Sequence, residues 1–336
     1  MTRFKLTLSI LTLLLLSGSL TCHAQLMQLD KDELPEAPAA THEKQATVTP
    51  CITWIDQTVP VKGYVLCVHG LGLHKGTYKQ FGERMAKLGW GVYAVDVRGF
   101  GSFQKMPGPA PRTVDFEGCL ADVKAALEFV HKEHPGAPVF IIGESMGGGI
   151  SLQAAARYPD LVDGLISSVP GAQRFHAGKD SVKVGARMLA GPKREMDVKK
   201  IVVERSTLKE DLREEWLKDD LGRFELSPFE LMQFQFFMNN NDKWAKKITS
   251  TPVLMMSGTD DLLVKHEDQE NLIKDIPSPD KHQVYVVGAE HLILEEGQFD
   301  ENVLSLVDSW LTDHSARLVQ TEAQGKIISP NGANTQ

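Results

Sequence analysis

Short apolar runs recur along the middle of this chain. Between them lie longer stretches in which apolar residues return every three or four positions. "YVLCV" (64–68), "VYAV" (92–95), "VFII" (139–142), "GLISSV" (164–169), "VLMM" (253–256) and "VYVV" (284–287) predict buried strands. The stretch 114–131 sets Phe116, Cys119, Leu120, Val123, Ala126, Leu127 and Val130 on one helical face. Residues 146–158, 265–275 and 300–317 predict further helices. Uninterrupted apolar strands alternating with amphipathic helices predict an α/β fold, a mostly parallel sheet covered on both faces.

The pattern breaks between about 170 and 245. "TLKEDLREEWLKDD" (207–220) is charged and helical in spacing. "SPFELMQFQFFM" (227–238) opens with Ser227, Pro228 at the first helical position and Glu230 three residues on, a capping-box signature. A segment of this length and texture inside a sheet domain predicts an inserted helical lid rather than a loop. Phe234, Phe236, Phe237 and Met238 are the expected pocket-lining residues. Apolar residues surround most of that helix, so periodicity does not say which face looks inward.

The ends differ from the middle. Arg3 and Lys5 precede an uncharged run from Leu6 to Leu20, and "CHA" (22–24) follows. This layout predicts a signal peptide over 1–24 cleaved after Ala24, with a secreted or periplasmic product; a lipoprotein anchored through Cys22 fits less well. Residues 25–50 predict a flexible leader, 51–317 the folded domain, and 318–336 a loose tail.

The chain has 336 residues, 42% hydrophobic and 24% charged, with a formal charge of −8. Cleavage after Ala24 removes Arg3 and Lys5 and no acidic residue, moving the charge to −10. That balance disfavours nucleic acid and anionic membranes as partners. Cys51, Cys67 and Cys119 would remain, enough for one disulfide at most. Cys67 sits in an apolar run and reads as a small buried hydrophobe.

The chemistry centres on "FIIGESMGGG" (140–149). A strand, then Gly-Glu-Ser-Met-Gly, then a helix is the nucleophile-elbow pattern. Gly143 and Gly147 leave room for a tight turn that exposes Ser145, and the Met146 amide can face a developing oxyanion. A serine hydroxyl needs a base. His291, after the last strand in "VYVVGAEHLILEE" (284–296), stands where the base of such a fold belongs. An acid must orient it, and "VLMMSGTDDLLV" (253–264) offers Asp260 and Asp261, between which spacing alone does not choose. "LCVHGLGLHKGTY" (66–78) supplies the second oxyanion donor, the Leu71 amide, with His69 a structural hydrogen-bonder. Asp96 and Arg98 in "DVRGFGS" (96–102) read as loop braces.

Four motifs in order, "HGLGLHKGTY", "DVRGFGS", "GESMGG" and "GTDDLLV…AEH", resemble the α/β-hydrolases of the monoacylglycerol lipase and lysophospholipase type, often labelled serine aminopeptidase-like. The likeness covers about 50–315, and "STLKEDLREEWLKDD" resembles that family's lid. The resemblance implies an α/β-hydrolase fold and cleavage of lipid-like monoesters through an acyl-enzyme on Ser145. Such a reaction needs no cofactor and no metal, and the sequence carries no Cys/His cluster with zinc spacing and no phosphate loop; contact with lipid interfaces in passing is expected. Its Gly-x-x-Asp-x-x-Val pattern fits Gly258, Asp261 and Val264, which carries the acid's role to Asp261. Relatives that cleave monoacylglycerols often have Glu within "HGxGEH" where this chain has Leu73. That departure bears on glycerol-ester specificity and not on the triad. An aminopeptidase or thioesterase of the same fold and a non-catalytic binding protein are the alternatives.

Overall fold

The computed structural model describes residues 49–109, 112–170 and 191–327. The expected signal segment, Cys22, the leader up to residue 48, positions 171–190 of the expected lid and the tail from residue 328 lie outside the described residues.

The strands are β1 (Cys51–Trp54), β2 (Gly63–Val68), β3 (Trp90–Val95), β4 (Val139–Glu144), β5 (Gly164–Ser168), β6 (Met196–Asp197), β7 (Glu225–Leu226), β8 (Val253–Gly258) and β9 (Lys281–Val286). The helices are α1 (Lys79–Lys87), α2 (Phe116–Glu133), α3 (Met146–Arg157), α4 (Lys199–Ser206), α5 (Glu210–Lys218), α6 (Pro228–Asn239), α7 (Asn241–Ala245), α8 (His266–Asp275) and α9 (Glu301–Ile327).

Seven strands form one sheet in the order β1-β3-β2-β4-β5-β8-β9. β1 runs antiparallel to β3, and every other neighbouring pair is parallel. Strand side chains alternate between two cores. Val65, Cys67, Val92, Ala94, Phe140 and Ile142 face one side, where Phe81 and Met85 of α1 and Val307 and Leu311 of α9 cover them. Leu66, Val68, Tyr93, Val95 and Ile141 face the other, against Leu120, Val123 and Leu127 of α2, Ile150 of α3 and Leu272 of α8. Burial on both faces is why these strands read as continuous apolar runs. This is the predicted α/β-hydrolase layout.

The structure departs from the sequence reading at both sheet edges and at the last helix. β1 has no counterpart there: it is an edge strand, and its four residues are alternately exposed and half-buried. β9, the other edge, begins at Lys281 rather than 284, because only one of its faces is covered and its polar residues belong to the strand. α9 runs on to Ile327, past the 318 at which a loose tail is expected.

Between β5 and β8 the described part of the insertion holds the hairpin of β6 and β7 and helices α4 to α7. Its apolar side is continuous with the α2–α3 core: Phe237 stacks on Phe116 with ring centroids 4.5 Å apart. Gln153 of α3 donates to Phe237 O (3.0 Å) and Asn241 Oδ1 (2.9 Å). α6 starts with the expected capping box, Ser227 and Glu230 exchanging side-chain and backbone bonds, worth about 1 kcal/mol. The base of the insertion is thus fixed to the core, and Trp216, Phe224 and Phe234 bring it to the cavity that holds Ser145.

Candidate active site

β4 delivers Ser145 to the carboxyl end of the sheet, where open α/β folds place their ligands. Its backbone has φ 55° and ψ −113°, a conformation costing a non-glycine residue roughly 1–3 kcal/mol. The surroundings hold it there. Ser145 N–H donates to Ser168 O (2.9 Å), and Gly149 N–H donates to Ser145 O (3.1 Å). The flanking glycines are steric necessities. A Cβ on Gly143 would lie 2.1 Å from Gly147 O, and one on Gly147 would lie 1.9 Å from Val68 O. Met146 opens α3, so its amide belongs to a first turn that has no intrahelical acceptor.

The structure brings Ser145, His291 and Asp261 into one row. Ser145 Oγ lies 2.9 Å from His291 Nε2, and His291 Nδ1 lies 2.9 Å from Asp261 Oδ2. With Nδ1–H donating to Asp261, Nε2 is free to accept from the Ser145 hydroxyl. Asp261 Oδ1 accepts from the amides of Leu263 (2.7 Å) and Val264 (3.0 Å). Burial pushes the Asp261 carboxyl up, but His291 and those amides outweigh it, and the group sits below the ordinary carboxylate range. Asp260 is exposed and accepts from Thr259 Oγ1 instead. Geometry therefore separates the two aspartates that spacing leaves open.

Leu71 follows β2 through Gly70 and lines the same cavity as Ser145 and His291. Its amide has a defined direction. Gly70 O, the carbonyl of the same peptide unit, lies 2.8 Å from His69 Nδ1 and 3.2 Å from the amide of Leu73, which donates to it. In a trans peptide the N–H points opposite to its C=O, so anchoring Gly70 O aims the Leu71 N–H away from those donors. His69 Nε2 in turn accepts from Val97 N–H (2.9 Å). Both ring nitrogens are used, and burial pulls His69 down to about 4, so it is a neutral brace. Asp96 accepts from the Lys75 amide and ammonium and from the Ser102 amide, at 2.6–2.8 Å. Arg98 grips Asp122 of α2. Two glutamates complete the frame. Glu144, just before Ser145, accepts from Ser168 Oγ (2.7 Å) and from the amides of Ile293, Leu294 and Glu295 (2.8–3.2 Å). Glu295 accepts from the Gly70 amide (2.7 Å).

A cavity opens over Ser145. Leu71, Leu73, Leu263, Val264 and Leu292 line it from the core loops. Val202, Ser206, Trp216, Phe224 and Phe234 line it from the insertion. Ser206 spends its hydroxyl on Val202 O (2.6 Å). Of the four lining residues expected in α6, only Phe234 reaches the cavity. Phe237 and Met238 are buried against Phe116 and Gly149, and Phe236 is 60% exposed. Those three assignments are corrected. The helix is apolar on several sides because it packs on several sides, and sequence periodicity cannot rank them.

A family model described as "Serine aminopeptidase, S33" matches residues 59–298. The chain belongs to that family. Among relatives of this chain, the monoacylglycerol lipase of Mycolicibacterium smegmatis is 25% identical over 78% of this chain and 91% of its own length. The monoglyceride lipase of Rattus norvegicus is 26% identical over 79% and 87%. The monoacylglycerol lipase of Paleococcus ferrophilus superposes with a TM-score of 0.65 at 25% identity, over 79% of this chain and 99% of that one. A soluble variant of the Saccharomyces cerevisiae monoglyceride lipase, solved with a substrate analog, superposes with a TM-score of 0.69 at 22% identity, over 82% and 98%, a likeness of fold.

Within this family's frame, sequence reasoning misses several residues of the site. Trp216, Phe224, Val202 and Ser206 come from the insertion, whose path over the sheet no local pattern reveals. Glu144 and Glu295 stand beside the residues of the triad, and their signal is charge in segments that must be buried, readable in "FIIGES" and "HLILEE".

Proposed function

We propose that this protein is a serine carboxylic ester hydrolase acting on lipid-like monoesters. The observation that carries the reading is the Ser145–His291–Asp261 row at the floor of an apolar cavity. Ser145 Oγ attacks the ester carbonyl as His291 Nε2 takes its proton. Asp261 orients His291 and stabilises the imidazolium. The amides of Leu71 and Met146 hold the oxyanion, a contribution of about 3–4 kcal/mol per donor in well-studied hydrolases. His291 then gives its proton to the leaving alcohol. A water, deprotonated by His291, attacks the acyl-enzyme, and the proton returns to Ser145 as the acid leaves.

Several features support an apolar acyl group over an aminoacyl one. Among the described residues, the cavity lining carries no carboxylate to hold a substrate ammonium. Leu73 adds another apolar side chain to the wall, where a glycerol hydroxyl would need a polar one. The monoacylglycerol lipase relatives favour a monoester substrate. The insertion acts as the lid, exposing Leu208, Leu217, Phe229 and Phe236 to whatever interface presents the lipid. The charged and apolar segments of residues 1–24 support export before the enzyme acts.

The test compares the protein with its Ser145→Ala variant. Both are treated with a fluorophosphonate probe and assayed on p-nitrophenyl esters of graded length, a monoacylglycerol and an aminoacyl amide. Labelling and ester turnover that fall about 10³-fold or more in the variant support the reading. A folded protein that neither labels nor turns over any ester sinks it.

A further inference from the structure

Glu144 and Glu295 are both fully buried, and neither performs a step in the reaction above. Glu144 receives four donors, the Ser168 hydroxyl and three successive amides from residues 293–295. A carboxyl surrounded only by donors is satisfied as a carboxylate. Glu295 is different. Its Oε1 accepts from the Gly70 amide, while its Oε2 sits in a short contact with Thr77 Oγ1. Thr77 has a single hydroxyl hydrogen, and Thr77 Oγ1 also lies 2.7 Å from His74 O. His74 O, which also accepts from the Thr77 amide (3.1 Å), can only accept, whereas a carboxyl can carry a proton, so both hydroxyl contacts are filled at once only with the Thr77 hydrogen on His74 O. The contact between Thr77 and Glu295 is then complete only if Glu295 brings its own proton.

We propose that Glu295 is an uncharged carboxylic acid at neutral pH that positions the oxyanion loop, accepting from Gly70 N–H through Oε1 and donating Oε2–H to Thr77 Oγ1. The proposal rests on the reading that the Leu71 amide is an oxyanion donor. Glu295 is a positioning residue: it touches Gly70, and Gly70 carries Leu71. His69 holds the carbonyl of the Gly70–Leu71 peptide, and Glu295 holds the amide of the peptide before it. Together they fix both peptide planes.

The charge environment agrees. Burial, and then the charge of Glu144, push the Glu295 carboxyl well above its ordinary range. The other titratable groups that bear on it are Glu296, Cys67 and Tyr78, none of them cationic. Neutrality also serves the reaction. A carboxylate bonded to the Gly70 amide would place negative charge beside the site where the substrate oxygen becomes an anion, opposing the transition state.

The experiment uses the full chain and the variants Glu295→Gln, Glu295→Ala and, as a control for the adjacent acid, Glu296→Gln. Infrared spectra at neutral pH should show a protonated-carboxyl C=O band that shifts in heavy water, disappears in Glu295→Gln and persists in Glu296→Gln. On a soluble ester, Glu295→Ala should lose about 30-fold in kcat with KM changed by less than about twofold, the pattern of a lost transition-state interaction. Glu295→Gln offers the same acceptor and donor and should keep kcat within about threefold of the parent. Wild-type spectra in which the Gln substitution removes no such band would overturn the proposal. So would a Gln variant as impaired as the Ala variant, or a folded Ala variant with unchanged kcat. If Glu295→Ala does not fold, the spectra and the Gln variant still decide. If the parent neither labels with fluorophosphonate nor turns over esters, the hydrolase reading fails by itself. The infrared band then still reports the proton, and amide exchange at Gly70 still reports the anchor.

Discussion

Glu290, the residue before His291, holds the insertion: the Thr207 hydroxyl donates to its Oε2 and the Leu208 amide to its Oε1 at 2.7 Å. The loop that carries the base is thereby tied to the entrance of α5, one wall of the cavity. The spacing of "TLKEDLREEWLKDD" predicts helix from its first residues, but Thr207 and Leu208 are drawn out of the helix to make this contact. Removing the carboxylate should loosen the wall without touching the triad. Glu290→Ala is expected to raise KM several-fold on soluble esters and to speed proteolysis within 199–226. The stability loss should be about 1–3 kcal/mol, since hydrogen bonds to a charged group are lost. Limited proteolysis beside steady-state kinetics checks this. Faster cleavage elsewhere, with 199–226 intact, would contradict the tie.

The two aspartates of "GTDD" make a sharper case. Asp261 is buried against His291, and Asp260 is exposed and bonded to Thr259. Asp261→Asn should lower kcat by about 10⁴, because Asn stabilises the wrong histidine tautomer. Asp260→Asn should leave kcat within about twofold, as a surface substitution away from special features does. Single-turnover acylation of the two variants decides between them, and a reversed ranking would move the acid's role to Asp260.

The same contrast separates what local sequence carries from what only folding adds. Ser145 and His291 are readable because each follows an apolar strand run, and the fold puts chemistry at such strand ends. The α/β sandwich is readable for the same reason, from β2, β4, β5 and β8. Edge strands are only partly so: β1 is half-exposed and gives no run, and β9 is readable from Val284 on but not over Lys281, His282 and Gln283. Choosing Asp261 by physics needs the fold, because only three-dimensional placement shows which carboxylate is dry. Phe236 is misplaced by sequence reasoning because a helix apolar on every side has no amphipathic phase to read. The buried glutamates show in sequence only as charge among apolar residues; their roles do not, because their partners Gly70, Thr77 and Ser168 lie far away in sequence and meet them only after folding.

His69 makes acid sensitivity testable. Its pKa is pulled down to about 4 by burial, with Asp96 opposing, against about 6.5 in the unfolded chain. Between those values the unfolded state holds more protons, so acid favours unfolding. The stabilisation from the neutral ring is complete above about pH 6.5, falls as pH drops and is gone below about 4, a span of about 3 kcal/mol. Glu296, raised to about 7 by burial and by Glu215 and Asp219, works in the opposite direction over part of that window. A comparison with His69→Asn cancels it, since Glu296 is present in both proteins. Urea unfolding in pH steps should show wild-type stability falling toward that of the variant between about pH 6.5 and 4. A constant difference across that range would mean His69 is not buried as a neutral ring.

Phe234 and Phe236 stand two residues apart on α6 and should answer substitution differently. Phe234 is 7% exposed and lines the cavity, whereas Phe236 is 60% exposed and outside it. Phe234→Ala empties part of the wall facing the ester. It should cost about 3 kcal/mol or more of stability, as large-to-small core changes do. It should also shift the chain-length optimum of kcat/KM toward bulkier esters. Discrimination between adjacent chain lengths should change by no more than about 1–3 kcal/mol per methylene. Phe236→Ala should leave both stability and the soluble-ester profile unchanged, and lower activity only on substrate presented at a lipid interface. The check is kcat/KM across graded p-nitrophenyl esters, in solution and in mixed micelles, at a temperature where both variants remain folded. A chain-length shift in Phe236→Ala, with none in Phe234→Ala, would mean that α6 presents the opposite face to the substrate.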